Sequence, residues 1–417
     1  MKLKQIRVDG YKNLINAVLN LGDFNILVGP NNSGKSNLLE ALHILGRVSF
    51  GGPDLIKQTL QGHTPRQTTD FSVSHLIEHM FKPMTIGIAF EITVNGTVWL
   101  VDYEVVILCD LSEKGKGSIS SETLTGKPIG RSGRATRYVS RKARNFKILM
   151  KSGRKKPHKT TKDNSCLFPL PWLYPDPEEL PIELVEFYSA IERFARTPIF
   201  ALSPSQLRRN IDTETPITES WVSSFDLGLI LEHIKEQGKY YELFRENFCD
   251  IMGLESIDLR VEVKKSPSRK GSSNGKEKRI RYINVTRPRD IPSLIEEYSD
   301  GTLLVAAILA ALLYKKRSGP ILCLEELETC LHPAALEKLL RFLQDHSDKW
   351  PVLITTHSPY LLNGVRPEDV NVAVVDETGA THFEKVESSR QLREYLNKNL
   401  MSFGELLSSD FEGFRER

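Results

Sequence analysis

Eight consecutive residues near the start of the chain, Gly29-Pro30-Asn31-Asn32-Ser33-Gly34-Lys35-Ser36, have the types and spacing to hold a polyphosphate. They match glycine, four variable residues, glycine, lysine and serine at every fixed position of that pattern. Gly34 lets backbone amides approach phosphate oxygens. Lys35 carries a full charge toward the β- and γ-phosphates, and the Ser36 hydroxyl is placed to ligate Mg²⁺. Asn32 tolerates the positive φ that such a turn demands. Far downstream, Ile321-Leu322-Cys323-Leu324 ends in two carboxylates, Glu325 and Glu326, and Val352-Leu353-Ile354-Thr355-Thr356 ends at His357. Paired acids at a strand end suit metal binding and the orientation and deprotonation of water. A histidine at the same edge could meet a terminal phosphate. Tyr298-Ser299-Asp300-Gly301-Thr302 precedes an apolar helix and offers a second anion-binding helix start.

The elements around these residues fit their chemistry. The run Asn25-Ile26-Leu27-Val28 reads as a strand into the glycine-rich turn, and Leu38, Leu39, Ala41, Leu42 and Leu45 keep helical spacing after it. A helix start leaves four amides unpartnered and carries about half a positive charge, which the turn's own amides reinforce. One helix, Ala334 to Phe342, separates the paired acids from His357, which makes a β-α-β crossover. Parallel strands then deliver all these groups to one sheet edge.

The remaining chain reads more coarsely. Residues 1 to 28 suggest two strands around a turn at Tyr11-Lys12-Asn13. Residues 84 to 109 alternate in strand fashion about Asn95-Gly96 and predict a hairpin. Between Thr123 and Lys162 there is no acidic residue and there are fourteen Lys or Arg, which predicts a basic hairpin or mobile projection. A proline-rich linker, Pro169 to Pro181, leads to helices from Ile182 and between Ser223 and Met252. Lys264 to Lys278 is rich in Ser, Gly and Lys and is expected to be a disordered loop. With 417 residues, 40% of them apolar, a large core is available; a formal net charge of +3 announces no global field for nucleic acid. Five cysteines show no paired spacing, which suits a reducing, cytoplasmic setting. The longest apolar run, Leu303 to Tyr314, is short for a membrane span and predicts a buried helix.

In this order the four elements resemble an ABC-type ATPase of the group that holds the RecF, SMC and overcoming-lysogenization-defect proteins, the "AAA family ATPases" of the last type above all. The stretches Asn25 to Leu42, Tyr298 to Ala311 and Glu326 to Ala335, with Leu331-His332-Pro333, carry the resemblance. It covers residues 1 to 110 and 285 to 400 and implies an α/β P-loop ATPase head using ATP and Mg²⁺. Gly29, Asn31, Gly34, Lys35 and Ser36 match the phosphate-loop positions, and Asn32, Ser33 and Asn37 are grouped with them as nucleotide-binding. Glu325 matches the Mg²⁺ position beside Ser36, Glu326 the catalytic base and His357 the switch histidine. Ser299 and Gly301 match the signature that binds the γ-phosphate of a second protomer, and Lys12 sits where relatives carry a nucleotide-contacting basic residue. Glu325 stands where many relatives have Asp, and His332 replaces the Asp of the wider class's dimer-contact loop. The coupling glutamine is open among Gln58, Gln61 and Gln67.

The resemblance further implies an ATP-sandwiched homodimer. The expected division is an N-terminal ATPase lobe (1–110), a basic projection (111–170), a helical insertion (171–284) and a C-terminal ATPase lobe (285–417). No Asp-x-Asp follows Asp376, so no Toprim nuclease is expected in the chain, and Ser402 to Leu407 reads as a short docking helix. Three readings follow: a defence ATPase that senses DNA through residues 123–162 and controls a separate nuclease or toxin; a DNA-repair ATPase; and a slow-turnover scaffold that holds a partner silent.

Overall fold

The computed structural model describes residues 1–50, 83–110, 116–160, 165, 167, 169–195, 199–200, 227–265, 277–314, 320–386, 402 and 404–406. Strands β1 (Lys2–Asp9) and β2 (Ala17–Asn20) pair antiparallel about a bridge between Tyr11 and Leu14. β3 (Phe24–Val28) then leaves for a different sheet. The first 28 residues therefore hold three strands, not two; the break at Leu21-Gly22-Asp23 lies inside what reads as one apolar stretch. α1 (Lys35–Phe50) begins at the lysine of the phosphate loop. β4 (Met84–Val94) and β5 (Thr97–Asp110) form the expected hairpin. Asn95 and Gly96 both have positive φ, +47° and +77°, as a two-residue hairpin turn of matching twist requires.

Of the two forms expected for the basic stretch, the hairpin is the one observed, and it does not project freely. β6 (Lys116–Pro128), β7 (Thr136–Lys142), β8 (Asn145–Leu149) and β9 (Lys155–Lys159) continue the same meander, giving an eight-stranded antiparallel sheet of order β2-β1-β4-β5-β6-β7-β8-β9. β6 pairs along β5 from Asp110 to Trp99, so the expected division at residue 110 falls inside a continuous sheet. The reason lies in period-two patterning: Leu124, Val139, Phe146 and Ile148 turn inward and are buried. Most of the cations between them face outward or sit in the turns; Arg141 is the exception, buried on β7 opposite buried Glu122.

α2 (Leu170–Leu173) and α3 (Ile182–Ala195) follow, then β10 (Ile199–Phe200), α4 (Leu227–Glu236) and α5 (Lys239–Met252). β11 (Ser256–Lys265) and β12 (Glu277–Thr286) pair along their whole length, with β13 (Ser293–Leu294) at the edge. The expected disordered loop is thus strand at both ends; residues 266–276 lie outside the described residues, as do Gln58, Gln61 and Gln67. α6 (Asp300–Leu313), β14 (Leu322–Glu325), α7 (Pro333–Asp345), β15 (Val352–Thr356), α8 (Pro359–Asn363), β16 (Val370–Val375) and β17 (Thr381–Lys385) complete the chain. Of the expected docking helix, Gly404 to Leu406 is helical with Leu406 buried; residues beyond 406 lie outside the described set.

The second sheet has the order β10-β14-β15-β3-β16-β17, parallel except for β17. Every residue of β3 and β15 is buried, the pattern of parallel strands covered on both faces. Alternate residues serve two cores. Ile26, Leu324 and Ile354 pack with α4 to α7, whereas Leu27, Cys323 and Leu353 pack with α1, α3 and the eight-stranded sheet. α6 is buried along nearly its whole length beneath this sheet, as its apolar run predicts. The result is a mixed α/β molecule whose three central parallel strands end at one edge.

Candidate nucleotide site

Strand order alone brings the chemistry together. β15 lies between β14 and β3, with Thr355 opposite both Glu325 and Leu27, and Thr356 opposite Val28. The ends of these strands therefore present Glu326, His357 and the phosphate loop side by side. A cavity of ≈ 950 Å³ opens there. Lys12, Asn13, Ile15, the loop from Asn31 to Asn37, Glu326, His357, Thr378 and Gly379 line it.

The loop has the conformation its sequence demands. Asn32 has φ +64° and Gly34 φ +88°, and a Cβ on Gly34 would lie 2.7 Å from Thr381 Oγ1 and 3.1 Å from Asn13 Oδ1. Gly29 is equally confined: a Cβ there would come within 2.6 Å of the Ala373 carbonyl. Neither position accepts a side chain, which keeps the amides of the loop bare to the cavity. The Lys35 ammonium donates to the carbonyls of Gly29 (2.8 Å) and Pro30 (2.7 Å) and to Ser33 Oγ (3.2 Å). Burial lowers its pKa to about 8, and the Glu326 carboxylate opposes that shift in part. A cation held in neutral acceptors at the mouth of an amide cradle is a group that gains from an arriving anion.

Across the cavity, Glu326 Oε1 stands 3.6 Å from His357 Nε2. Glu326 is half exposed and His357 about a third. Glu326 has left-handed backbone angles, φ +47° and ψ +53°, unusual for a non-glycine residue and worth about 1–2 kcal/mol of strain. Its amide donates to the Thr355 carbonyl at 2.9 Å, and its own carbonyl accepts from Thr329 Oγ1 at 2.8 Å. These bonds hold the strained turn and throw the carboxylate toward the cavity.

Not every expected residue is on the cavity wall. Gly29 forms the entrance of the loop beneath it, and Glu325 is half-buried at the end of β14. Ser299 caps α6, its hydroxyl oxygen accepting from the Thr302 amide, and is exposed away from the cavity. Gly301 is buried; a Cβ would meet the Cys330 carbonyl, so glycine is needed there for packing irrespective of any ligand. Lys12 lines the cavity, but its ammonium is engaged by buried Glu40 at 2.6 Å and Asn37 at 3.1 Å, while Tyr11 donates to the same Glu40 oxygen at 3.0 Å.

Sequence reasoning missed the opposite wall. Asn13 donates through Nδ2 to the Asn32 carbonyl (2.9 Å) and accepts from Asn37 (2.7 Å), so it ties the first turn to the phosphate loop. Its carbonyl accepts from the Thr381 amide at 2.8 Å, which docks the β16–β17 hairpin and its tip, Thr378-Gly379, over the site. Asn13 could have been suspected from its place beside Lys12. Nothing local marks Thr378, because its position follows from β16 pairing with β3, more than 340 residues away.

No helix among the described residues is long and apolar enough to cross a membrane. No curated protein matches the sequence. By shape the chain is similar to an SMC head domain from Thermotoga maritima (14% identity, TM-score 0.43, covering 93% of this chain and all of that one). It is also similar to an SMC head bound to the C-terminal winged-helix domain of ScpA (15%, 0.48, 94% and all). A third likeness is the SMC head with extended coiled coil bound to a ScpA domain derived from Pyrococcus furiosus (12%, 0.42, 96% and 99%). A family model of AAA domains, whose description names the AbiEii toxin of a type IV toxin–antitoxin system, matches residues 24–363. That span runs from β3 through α8 and takes in the phosphate loop, the paired acids and His357, and the chain belongs to this family of AAA domains.

Proposed function

We propose that the protein binds ATP in the ≈ 950 Å³ cavity, hydrolyses it with Glu326 as the base, and uses the nucleotide to join two copies of the chain. The observation that carries this reading is the meeting of Lys35, Ser36, Glu326 and His357 around one cavity while Ser299 stands outside it. Lys35 exchanges its carbonyl partners for phosphate oxygens. Glu326 accepts a proton from water aimed at the terminal phosphate, and His357 contacts that phosphate from the neighbouring strand end. Ser299, at the exposed start of α6, meets the nucleotide of a second copy, so hydrolysis loosens the pair.

Mg²⁺ fits the residues present. Ser36 on the cavity wall and Glu325 at the adjoining strand end are hard oxygen donors of the kind Mg²⁺ selects. When bound it neutralises charge on the phosphates. Ser36 and Glu325 would hold it, with Glu326 left to water.

The family description and the exposed cations suggest the setting. Arg131, Arg134, Arg137, Lys142, Arg144, Lys147, Lys151, Arg154, Lys155, Lys156 and Lys159 are all exposed on β7–β9 and their turns. We read this surface as a phosphate-backbone contact for DNA, and the protein as a cytoplasmic defence ATPase that controls a separate nuclease or toxin. Duplex DNA binding should then weaken steeply with salt, at about 0.9 in log K per log salt for each phosphate neutralised. The test is steady-state ATPase activity with and without DNA across a salt series. Turnover lost in Lys35→Ala and DNA affinity falling steeply with salt support the reading. Turnover that survives Lys35→Ala refutes the site, and a flat salt response refutes the DNA contact.

A further inference from the structure

We infer that Glu328 is a positioning residue: it fixes the backbone on both sides of His357 and so aims the histidine into the cavity. One carboxylate oxygen, Oε1, accepts two hydrogen bonds, from Thr356 Oγ1 at 2.6 Å and from the His357 amide at 3.0 Å. Thr356 Oγ1 in turn accepts from the Ser358 amide at 2.9 Å. Donors at three successive residues therefore trace back to one anion. The short turn Leu327–Thr329 that carries Glu328 follows directly from the strained Glu326, and Glu326 is itself bonded to Thr355. The candidate base and the candidate switch are thus strapped together by a single turn, and movement at one strand end is passed to the other.

The strap is built of costly parts. Thr356 is fully buried, and Glu328 Oε2 is buried without a hydrogen-bond partner among the described residues. A carboxylate with one oxygen buried and unused is an expensive way to hold a turn that a neutral side chain could hold. Its return is strength: hydrogen bonds to an ionised acceptor are shorter and about twice as strong as neutral ones. That suits a turn which must keep its shape when a highly charged ligand arrives beside it.

The inference rests on the proposed ATPase reading for its meaning, but its test does not depend on turnover alone. Hydrogen exchange at residues 355–358 of the nucleotide-free, full-length protein reports the strap directly. Glu328→Ala should speed exchange there by about tenfold or more. It should lower kcat by a similar factor and leave KM for ATP within about twofold, since the phosphate loop and Lys35 make most of the phosphate contacts. Glu328→Gln keeps an oxygen acceptor and should fall between wild type and Glu328→Ala. In a His357→Ala background, Glu328→Ala should remove no further activity, because it acts only through the histidine. Thr356→Val is isosteric and provides a second route should Glu328→Ala misfold; it should speed exchange at Ser358. Unchanged exchange at 355–358, or an undiminished loss from Glu328→Ala when His357 is already absent, overturns the inference. A protein with no turnover refutes the proposed function, and exchange alone then decides this point.

Discussion

Binding of a nucleotide should draw a proton onto Lys35 at alkaline pH. In the free protein its ammonium sits in a cage of two carbonyls and a hydroxyl, and burial holds its pKa at about 8 against an ordinary 10.5. A triphosphate in the amide cradle restores the value to 10.5 or above, because an opposite charge within a few ångström favours the charged form. At pH 9 the free lysine is then about 9% protonated and the bound one about 97%, so binding takes up about 0.9 proton. At pH 8 the uptake is about 0.5 and at pH 7 about 0.1. The phosphate chain is fully ionised at pH 9 and contributes no proton of its own. Titration calorimetry in buffers of different ionisation enthalpy reads this number as a slope. The same shift has a signature without ligand. The folded pKa lies below the unfolded one, so the charged lysine destabilises the free protein below pH 8, and that penalty is relieved as pH rises from about 8 to 10.5. Nucleotide binding with no proton uptake at pH 9 would show that Lys35 does not exchange its carbonyl cage for phosphate.

Four further outcomes follow from the geometry. Gly34→Ala places a Cβ 2.7 Å from Thr381 Oγ1 at φ +88°; it should cost about 1–3 kcal/mol of local strain and at least tenfold in ATP affinity, read by calorimetry. Gly301→Ala forces a buried methyl against the Cys330 carbonyl and should lower unfolding free energy by about 1–3 kcal/mol in denaturant titration. Ser299→Ala should cost about 1 kcal/mol as a lost helix cap and also abolish ATP-dependent self-association. Lys12→Ala strips the cation from Glu40, which is only 4% exposed, and should destabilise by about 3 kcal/mol; adding Glu40→Gln should restore most of the loss.

Much of the site was legible because its parts are local. The phosphate loop is one unbroken segment, and its strand, turn and helix all declare themselves within about 25 residues. The paired acids and His357 each end an apolar run, and one intervening helix fixes their parallel neighbourhood. Asn32 shows the same economy: its identity foretold the positive φ that the loop adopts. What was not legible depends on pairing between distant segments. Thr378 and Gly379 reach the cavity only because β16 lies beside β3 and Thr381 bonds to Asn13. The basic stretch was read by its charges, but Val139, Phe146 and Ile148 alternate beneath them and place it in the sheet. Glu328 carries no motif of its own, and its role emerges only when Thr356 and His357 are brought within reach of its carboxylate.

The central claim is that one nucleotide is held by Lys35, Glu326 and His357 of one copy and closed over by Ser299 of another. Glu326→Gln tests it most directly, with ATP and Mg²⁺ supplied and the mass followed by light scattering beside the rate of phosphate release. Loss of the base should slow hydrolysis by at least about a hundredfold, leave ATP bound, and hold the protein at twice its monomer mass. A variant that still hydrolyses ATP at the wild-type rate, or that binds ATP and stays a monomer, would contradict the account.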